Sequence, residues 1–243
     1  MAAELQGRVA CVWAAQLGAA GERHVERVIP DGCIDLVFSD GQLVIAGPDT
    51  ASVELEVMPN RSFVGVRFCA GVAPTALGVP ATALLDQRLP ARDVLGAPAA
   101  ELEEALALAA NPRQAAALLE RAAINWLRNA PDCAAEALVR RAVLELEAAG
   151  ADWTVTTLAA RLGVSERQLR RRFVSAVGYG PKLLERVLRL RRFIRLASGP
   201  RAPALATLAL EAGYADQPHL SRECRELTGT TPSQLLGYPV TAA

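Results

Sequence analysis

The sequence has little of the residue types that most catalytic and metal sites require. Its 243 residues include two histidines and five cysteines, which leaves little material for a histidine-based site. It contains no Cys-x-x-Cys pair, no Gly-x-Ser-x-Gly turn and no glycine-rich phosphate-binding loop. We therefore expect a protein that is not an enzyme and that holds no catalytic residue, cofactor or metal ion.

Long hydrophobic runs are also absent. No stretch reaches the ~18 consecutive apolar residues that indicate a membrane-spanning helix. Residues 9–21 are apolar apart from Gln16, but the segment before them is acidic to neutral, whereas a signal peptide begins with a basic one. We predict a strand or buried segment there. The expected location is the cytoplasm, in association with the nucleoid, with no membrane contact and with reduced thiols.

The charge of the chain is divided between its two parts. The total is zero, with 26 basic and 26 acidic residues. From residue 152 onward there are 14 basic and 7 acidic side chains, whereas residues 1–151 hold 12 basic and 19 acidic ones. A basic segment of this kind indicates a nucleic-acid partner, and its phosphate contacts should make binding salt dependent. The alternative interpretation is a solvated helix face.

A helix-turn-helix pattern begins near residue 156. Leu158 and Leu162 are spaced for a short helix, and Gly163 can end it in a left-handed conformation. Ser165 and Gln168 then have the spacing of a capping box, which predicts that a second helix covers about residues 165–176. Its arginines lie on faces other than that of Leu169 and Phe173.

A second pattern of the same kind follows about fifty residues later. Gly213 ends a short helix, and Asp216 is an N-cap for a helix over about 217–228. Pro218 lies in its first turn, where a missing N–H is tolerated, and Leu220 and Cys224 should point inward. Between the two units, residues 181–197 have the period of an amphipathic helix with arginines on its exposed faces. Two such units joined by a basic helix predict a DNA-binding regulator.

These residues resemble the DNA-binding domain of the AraC/XylS family of bacterial transcription regulators. The resemblance covers about residues 131–238. It lies in Ser-x-Arg-x-Leu-x-Arg-x-Phe at 165–173, Gly-x-Gly-Pro at 178–181, Ala-Gly-Tyr-x-Asp-Gln-x-His-Leu-Ser-Arg at 212–222 and Gly-x-Thr-Pro at 229–232. It implies two recognition helices that enter adjacent major-groove segments of double-stranded DNA. Two positions depart from the family: Cys224 replaces a usual Phe, and Pro218 a small polar residue.

The resemblance and the chemistry of base edges together give a set of expected contacts. Arginine suits guanine and glutamine suits adenine in the major groove, while basic and hydroxyl side chains also bind phosphates. The predicted base contacts are Arg167, Arg170, Arg171, Gln217, His219 and Arg222. The predicted phosphate contacts are Arg172, Lys182, Arg192, Ser221 and Arg225.

The N-terminal part has short β-rich runs at 25–30, 33–38, 42–46, 53–57 and 63–69, separated by turn residues. Asp40-Gly41 is a hairpin signal. We expect an α+β protein of two domains: a β-rich small barrel or sandwich at 1–96, a helical connector or dimerisation segment at 97–130, and an all-α domain at 131–243. The resemblance implies a cupin-like sensor for a small-molecule effector, and RNA polymerase and a second copy of the chain are further candidate partners.

Two alternatives remain for the N-terminal part. Cys11, Cys33 and Cys69 all fall in β-rich segments, so a thiol- or metal-responsive regulator could sense through them. Free cysteines are, however, often small buried hydrophobic residues. Asp31 and Asp35 are interpreted as turn residues. A fusion with an enzyme or repair activity has little support, because no nucleophile has an evident base partner.

Overall fold

The computed structural model describes residues 5–17, 24–58, 61–130, 134–148, 153–199 and 203–237. The β-rich part precedes the helical part, as expected. The strands are β1 (Val9–Leu17), β2 (His24–Val28), β3 (Ile34–Ser39), β4 (Gln42–Ala46), β5 (Val53–Val57), β6 (Arg61–Phe68) and β7 (Arg88–Pro90). Each predicted β run corresponds to a strand, and β7 was not predicted. Of the apolar segment predicted at 9–21, residues 9–17 form β1 and residues 18–21 lie outside the described residues.

The strands form two sheets. The larger has the order β1-β6-β3-β4-β7, and β2 pairs with β5 in a separate two-stranded sheet. All the pairs are antiparallel, and within the described residues no pairing of β1 with β7 closes a barrel. The hairpin between β3 and β4 turns at Asp40 and Gly41, whose φ angles are 50° and 78°. Positive φ at both positions is what a two-residue type I′ hairpin requires, so this prediction is confirmed.

The helices follow in two groups. The first group is α1 (Ala73–Leu77), α2 (Ala91–Leu95), α3 (Ala97–Ala107) and α4 (Pro112–Asn129), with a 3₁₀ turn at Ala81–Ala83. The second group is α5 (Ala134–Ala148), α6 (Val155–Arg161), α7 (Glu166–Val177), α8 (Pro181–Ala197), α9 (Leu205–Ala212), α10 (Gln217–Thr228) and α11 (Pro232–Gly237). None of these helices, within the described ranges, is long and apolar enough to cross a membrane.

Helices α3 and α4 pack on the larger sheet. Leu106, Leu119 and Leu127 are buried in the same core as Leu36 and Phe68 of β3 and β6. Burial of these side chains removes apolar surface from water on both elements, which is the main stabilising contribution to such a core. Residues 97–130, which were predicted as a connector or dimerisation segment, therefore supply part of the N-terminal core.

The helical part has two cores, which share the linker helix α8. Phe173 of α7 and Leu184 of α8 are buried in the first core, and Phe193 of α8 and Leu220 of α10 are buried in the second. Residues of the β-rich part enter both: Ala70 packs in the first core and Ile29 in the second. The two parts of the chain are therefore in direct contact at both helix-turn-helix units.

Candidate nucleic-acid interface

The first recognition helix, α7, begins as predicted. The Ser165 hydroxyl accepts a hydrogen bond from the Gln168 backbone N–H at 3.2 Å, and the Gln168 side chain accepts one from the Ser165 N–H at 3.1 Å. This reciprocal capping box satisfies backbone donors that the first turn leaves without partners. Leu169 and Phe173 are fully buried below the helix.

Two arginines project from the opposite side of α7. At about 3.6 residues per turn, Arg167 and Arg171 are one turn apart and point away from Leu169 and Phe173. Both are exposed, and no hydrogen bond or ion pair to the rest of the described chain holds either guanidinium group. Arg170 lies on one flank, 3.8 Å from Glu166, and the half-buried Arg172 lies on the other.

The second recognition helix, α10, has the same length as α7, 12 residues. The Asp216 carboxylate accepts a hydrogen bond from the His219 N–H at 2.7 Å, which confirms the predicted N-cap, and Pro218 lies in the first turn. Leu220 and Cys224 are fully buried. The departures at Pro218 and Cys224 therefore leave a regular helix of full length.

The two helices differ on their outer faces. Counted from the N-caps Ser165 and Asp216, Arg222 is equivalent to Arg171, whereas Pro218 is equivalent to Arg167. The outer face of α10 therefore has one arginine where that of α7 has two. Gln217, Arg222 and Arg225 are exposed, and Ser221 is half-buried.

His219, a predicted base contact, lies against its own unit. Its Nδ1 accepts a hydrogen bond from the Ala215 N–H at 3.4 Å, and its ring meets the Tyr214 ring edge to face at a centroid distance of 5.3 Å. Its Nε2 is 3.9 Å from Glu223. The ring is thus positioned by internal contacts on the flank of α10, away from the outer face that carries Arg222.

A buried ion cluster joins the linker helix to α10. Glu223 is 5% exposed, and its carboxylate lies 3.0 Å from Arg186 Nε and 3.3 Å from Arg189 Nε. Arg186 also pairs with Glu226, and Arg189 with Glu185 at 2.7 Å. Burial of Arg186 lowers its pKa, but the hydrogen bond with Glu223 and the nearby carboxylates outweigh this effect, so the pKa is raised.

The expectation that all the arginines of α8 decorate exposed faces was therefore wrong for Arg186 and Arg189. A buried carboxylate requires paired cations, and these two arginines supply them one turn apart on α8. The sequence held a partial signal, because an acidic residue directly precedes the core position Cys224 in α10. Periodicity alone could not have identified its partners, which lie more than thirty positions earlier in the chain.

The predicted phosphate contacts occupy different environments. Lys182 and Arg225 are exposed, whereas the guanidinium group of Arg192 donates a hydrogen bond to the Glu147 carbonyl oxygen at 2.9 Å. That bond ties α8 to the end of α5. A cleft of about 450 Å³ lies between the two units, and Lys182, Arg170 and Trp153 are among the residues that line it. Two exposed cations thus face the space between the recognition helices.

The three cysteines of the predicted thiol site lie in surroundings that favour the protonated thiol. Cys11, Cys33 and Cys69 are each partly buried, and burial is the largest of the effects that raise the pKa of each thiol. A raised pKa keeps the group protonated, whereas nucleophilic and metal-binding cysteines need the thiolate. In the described ranges no group of His, Cys, Asp and Glu side chains is arranged to hold a metal ion.

The acidic pair near β3 has two roles. Asp31 accepts a hydrogen bond from the Cys33 N–H at 2.8 Å, which is the predicted turn role. Asp35 is not a turn residue: it lies in β3, and its carboxylate accepts hydrogen bonds from Arg67 at 2.8 Å and 2.6 Å. Burial of Arg67 lowers its pKa, but Asp35 and Asp31 together outweigh burial, so the pKa is raised. Asp35 and Arg67 therefore stabilise the pairing of β3 with β6.

Two capped recognition helices, exposed arginines on their outer faces and a linker helix that holds them together define a DNA-binding regulator of transcription. Comparison with known families agrees with this class. Residues 158–237 match the family model described as a helix-turn-helix domain, and residues 2–90 match one described as a domain of unknown function (DUF6597). The C-terminal part of the chain thus matches a helix-turn-helix domain, and a second, distinct domain precedes it.

Solved structures of one protein, ToxT, are similar over most of the chain. The crystal structure of ToxT from Vibrio cholerae O395 is 11% identical, with a TM-score of 0.45, and the match covers 96% of this chain and 95% of that one. The structure of wild-type ToxT from Vibrio cholerae strain SCE256 with bound unsaturated fatty acid is 12% identical, with the same TM-score and the same coverage. No curated protein matches the sequence.

Proposed function

We propose that this protein is a sequence-specific transcription regulator whose helices α7 and α10 enter adjacent major-groove segments of one DNA site. The observation that carries the proposal is the pair of equivalent, exposed arginines, Arg171 and Arg222, on two capped helices of equal length. In helix-turn-helix proteins the N-terminal part of the second helix contacts the base edges. Arg171 and Arg222 both lie in the first two turns.

The base contacts fall into two groups by geometry. Arg167 and Arg171 in the first unit, and Gln217 and Arg222 in the second, are exposed and available to base edges. Arg170 and His219 lie on the flanks of their helices, so each is placed at the border between bases and backbone. The first unit is therefore proposed to make more of the arginine contacts with bases, because it has two arginines on its outer face.

The phosphate contacts are proposed to follow the cleft between the units. Lys182 and Arg170 line this cleft. The DNA backbone between two successive major-groove segments would pass there. Arg172, Ser221 and Arg225 are proposed to contact the flanking phosphates. Arg192 is the weakest member of this set, because binding a phosphate would compete with its hydrogen bond to Glu147.

Control by a small-molecule effector in the β-rich domain is the finer part of the proposal. It is supported by the direct packing of Ala70 and Ile29 in the cores of the two helix-turn-helix units. Any ligand that changes the β-rich domain would act on both units through these contacts. RNA polymerase and a second copy of the chain are the proposed protein partners.

The test is selection of binding sites from a random pool of DNA duplexes by the full-length protein. The selected duplex is then used in fluorescence-anisotropy titrations at several salt concentrations. The proposal predicts a bipartite site with half-sites about one helical turn apart and a binding constant that falls steeply with salt. Recovery of no preferred sequence, or of a site with a single short element, would contradict it.

A further inference from the structure

The loop between β4 and β5, residues 47–52, contacts the C-terminal ends of both recognition helices. We call it the bridging loop. It joins a strand of the larger sheet to a strand of the two-stranded sheet. Pro48, near its start, lies at the end of α7, and Ser52, at its end, lies at the end of α10. One short segment of the β-rich domain therefore connects the two DNA-reading units.

The contact with α10 is made by hydrogen bonds to its last carbonyl groups. The Ser52 N–H donates to the Leu227 oxygen at 2.8 Å, and the Ser52 hydroxyl donates to the Thr228 oxygen at 3.0 Å. Arg27 of β2 donates to the same Thr228 oxygen at 2.5 Å. The last carbonyl groups of a helix have no partner inside the helix, so these donors satisfy acceptors that would otherwise need water. Thr228 is buried by this contact.

The contact with α7 is made by close packing. Gly178 ends this helix with a φ of 95°, and a Cβ atom placed on it would lie 2.9 Å from Pro48 Cγ and 3.2 Å from Leu85 Cδ1. Glycine is therefore required there both by the left-handed backbone and by the approach of the loop. Gly178 and Pro48 are both buried.

The bridging loop is itself fixed to the rest of the β-rich domain. The buried Asp49 carboxylate accepts two hydrogen bonds from Arg88, at 2.9 Å and 2.6 Å. Asp86 accepts from the Thr50 N–H at 2.7 Å and donates its own N–H to the Pro48 oxygen at 3.0 Å. A loop held in this way behaves as a rigid spacer between its two ends.

We infer that the bridging loop sets the position of one recognition helix relative to the other and thereby selects the spacing between DNA half-sites. The inference rests on the proposed function and adds the residues that control its geometry. Pro48, Ser52 and Arg27 are positioning residues in this scheme, because they hold the C-terminal ends of α7 and α10. Arg171 and Arg222 each lie six residues before the last residue of their helix, so the loop contacts leave the base-contacting ends free. A shift between the two sheets would move the loop and change the spacing.

The test compares DNA duplexes that differ only in half-site spacing. The probes are the duplex that the wild-type protein selects from a random pool, the same duplex with one to three base pairs inserted or removed between the half-sites, and each half-site alone. The protein variants are Arg27→Ala combined with Ser52→Ala, which removes both side-chain hydrogen bonds to the end of α10 and keeps that of the Ser52 backbone N–H, and Pro48→Gly, which loosens the end of α7. Binding is measured by anisotropy with full-length protein.

The matched control is Ser39→Ala. Ser39 also donates a serine hydroxyl hydrogen bond to a backbone carbonyl, that of Ser62 at 2.9 Å, but within the larger sheet and away from both recognition helices. Ser39→Ala removes the same kind of bond, together with one that the hydroxyl accepts from Arg61 at 3.1 Å, without touching the bridging loop. Ser52→Ala alone serves if the double variant does not fold, as judged by circular dichroism and thermal melting.

We expect wild type and Ser39→Ala to prefer one spacing, and the double variant to lose about tenfold of that preference, the effect of removing two hydrogen bonds. Pro48→Gly should reduce the preference in the same direction through lost packing. Binding to single half-sites should stay within about twofold of wild type. Folded loop variants that keep the full spacing preference, or a wild-type protein with no spacing preference, would overturn the inference. Failure to select any duplex would instead count against the proposed function.

Discussion

Arg171 and Arg222 occupy the same position in two helices, six residues after the N-caps Ser165 and Asp216. Both guanidinium groups are exposed. The inward residues that follow them differ greatly in volume, Phe173 in the first helix and Cys224 in the second, yet both are fully buried. The two units thus carry the same exposed group at equivalent positions, although their cores are filled in different ways.

This equivalence predicts the effect of removing either arginine. Arg171→Ala and Arg222→Ala should each weaken binding to the selected site by ~1–3 kcal/mol, the range expected for a bidentate contact with one base. Each should also relax the sequence preference at a single position, and the two positions should lie in different half-sites. Repeated site selection with each variant measures this. Arg121→Ala, on the exposed side of α4, is the control and should behave as wild type.

The unequal outer faces lead to a second prediction. Arg167 lies beside Arg171 on the outer face of α7. Arg167→Ala should therefore reduce the slope of log binding constant against log salt concentration by about one, the change expected when one positive charge is lost from the DNA interface. Pro218→Arg places a cation at the equivalent position of α10 and should increase the slope by about the same amount. Anisotropy titrations at four or more salt concentrations give both slopes. If the two slopes equal that of wild type, the outer faces do not face DNA.

Local signals explain why the helical domain could be predicted so closely. The Ser165 capping box, the Asp216 N-cap and the linker helix at 181–197 all depend on residues near one another in the chain, and all three were confirmed. The strands could be placed for the same reason, since turn residues bound each run.

What could not be predicted depends on residues that are distant in sequence. Glu223 and Arg189 are thirty-four positions apart, and neither has a local pattern that indicates the other. The contact of Ser52 with Thr228 spans 176 positions. Such pairs are set by the packing of one domain on another, which periodicity and capping do not specify.

The cluster around Glu223 gives a third prediction, on stability. Glu223→Ala leaves Arg186 and Arg189 partly buried without their shared carboxylate, and breaking a buried pair in this way costs about 3–5 kcal/mol. We expect the lower end of that range, because Arg186 is 31% exposed and because Arg186 and Arg189 each keep a second carboxylate, that of Glu226 and Glu185 respectively. Urea denaturation followed by circular dichroism measures the loss.

The matched control for this measurement is Glu226→Ala. Glu226 pairs with the same Arg186 but is 63% exposed, and exposed ion pairs contribute about 0–1 kcal/mol. Glu223→Gln, which keeps the shape and one acceptor oxygen, should fall between the two. Equal losses for Glu223→Ala and Glu226→Ala would show that burial of the cluster does not matter to folding.

The raised thiol pKa values lead to a last prediction, which separates an effector-controlled regulator from a thiol-responsive one. Burial raises the pKa of Cys11 and Cys69, and burial together with the charge of Asp31 raises that of Cys33 well above its usual value. Deprotonation therefore moves to higher pH in the folded protein than in the unfolded chain. Because only the thiolate reacts, alkylation of the native protein should be slow at neutral pH. The pH at which the alkylation rate increases should be higher for the native protein than for the urea-unfolded protein.

Mass spectrometry of iodoacetamide-treated samples measures the reaction at each cysteine. Replacement of all three cysteines by serine should leave DNA binding unchanged. A native thiol that reacts at a lower pH than the unfolded chain would support redox sensing instead.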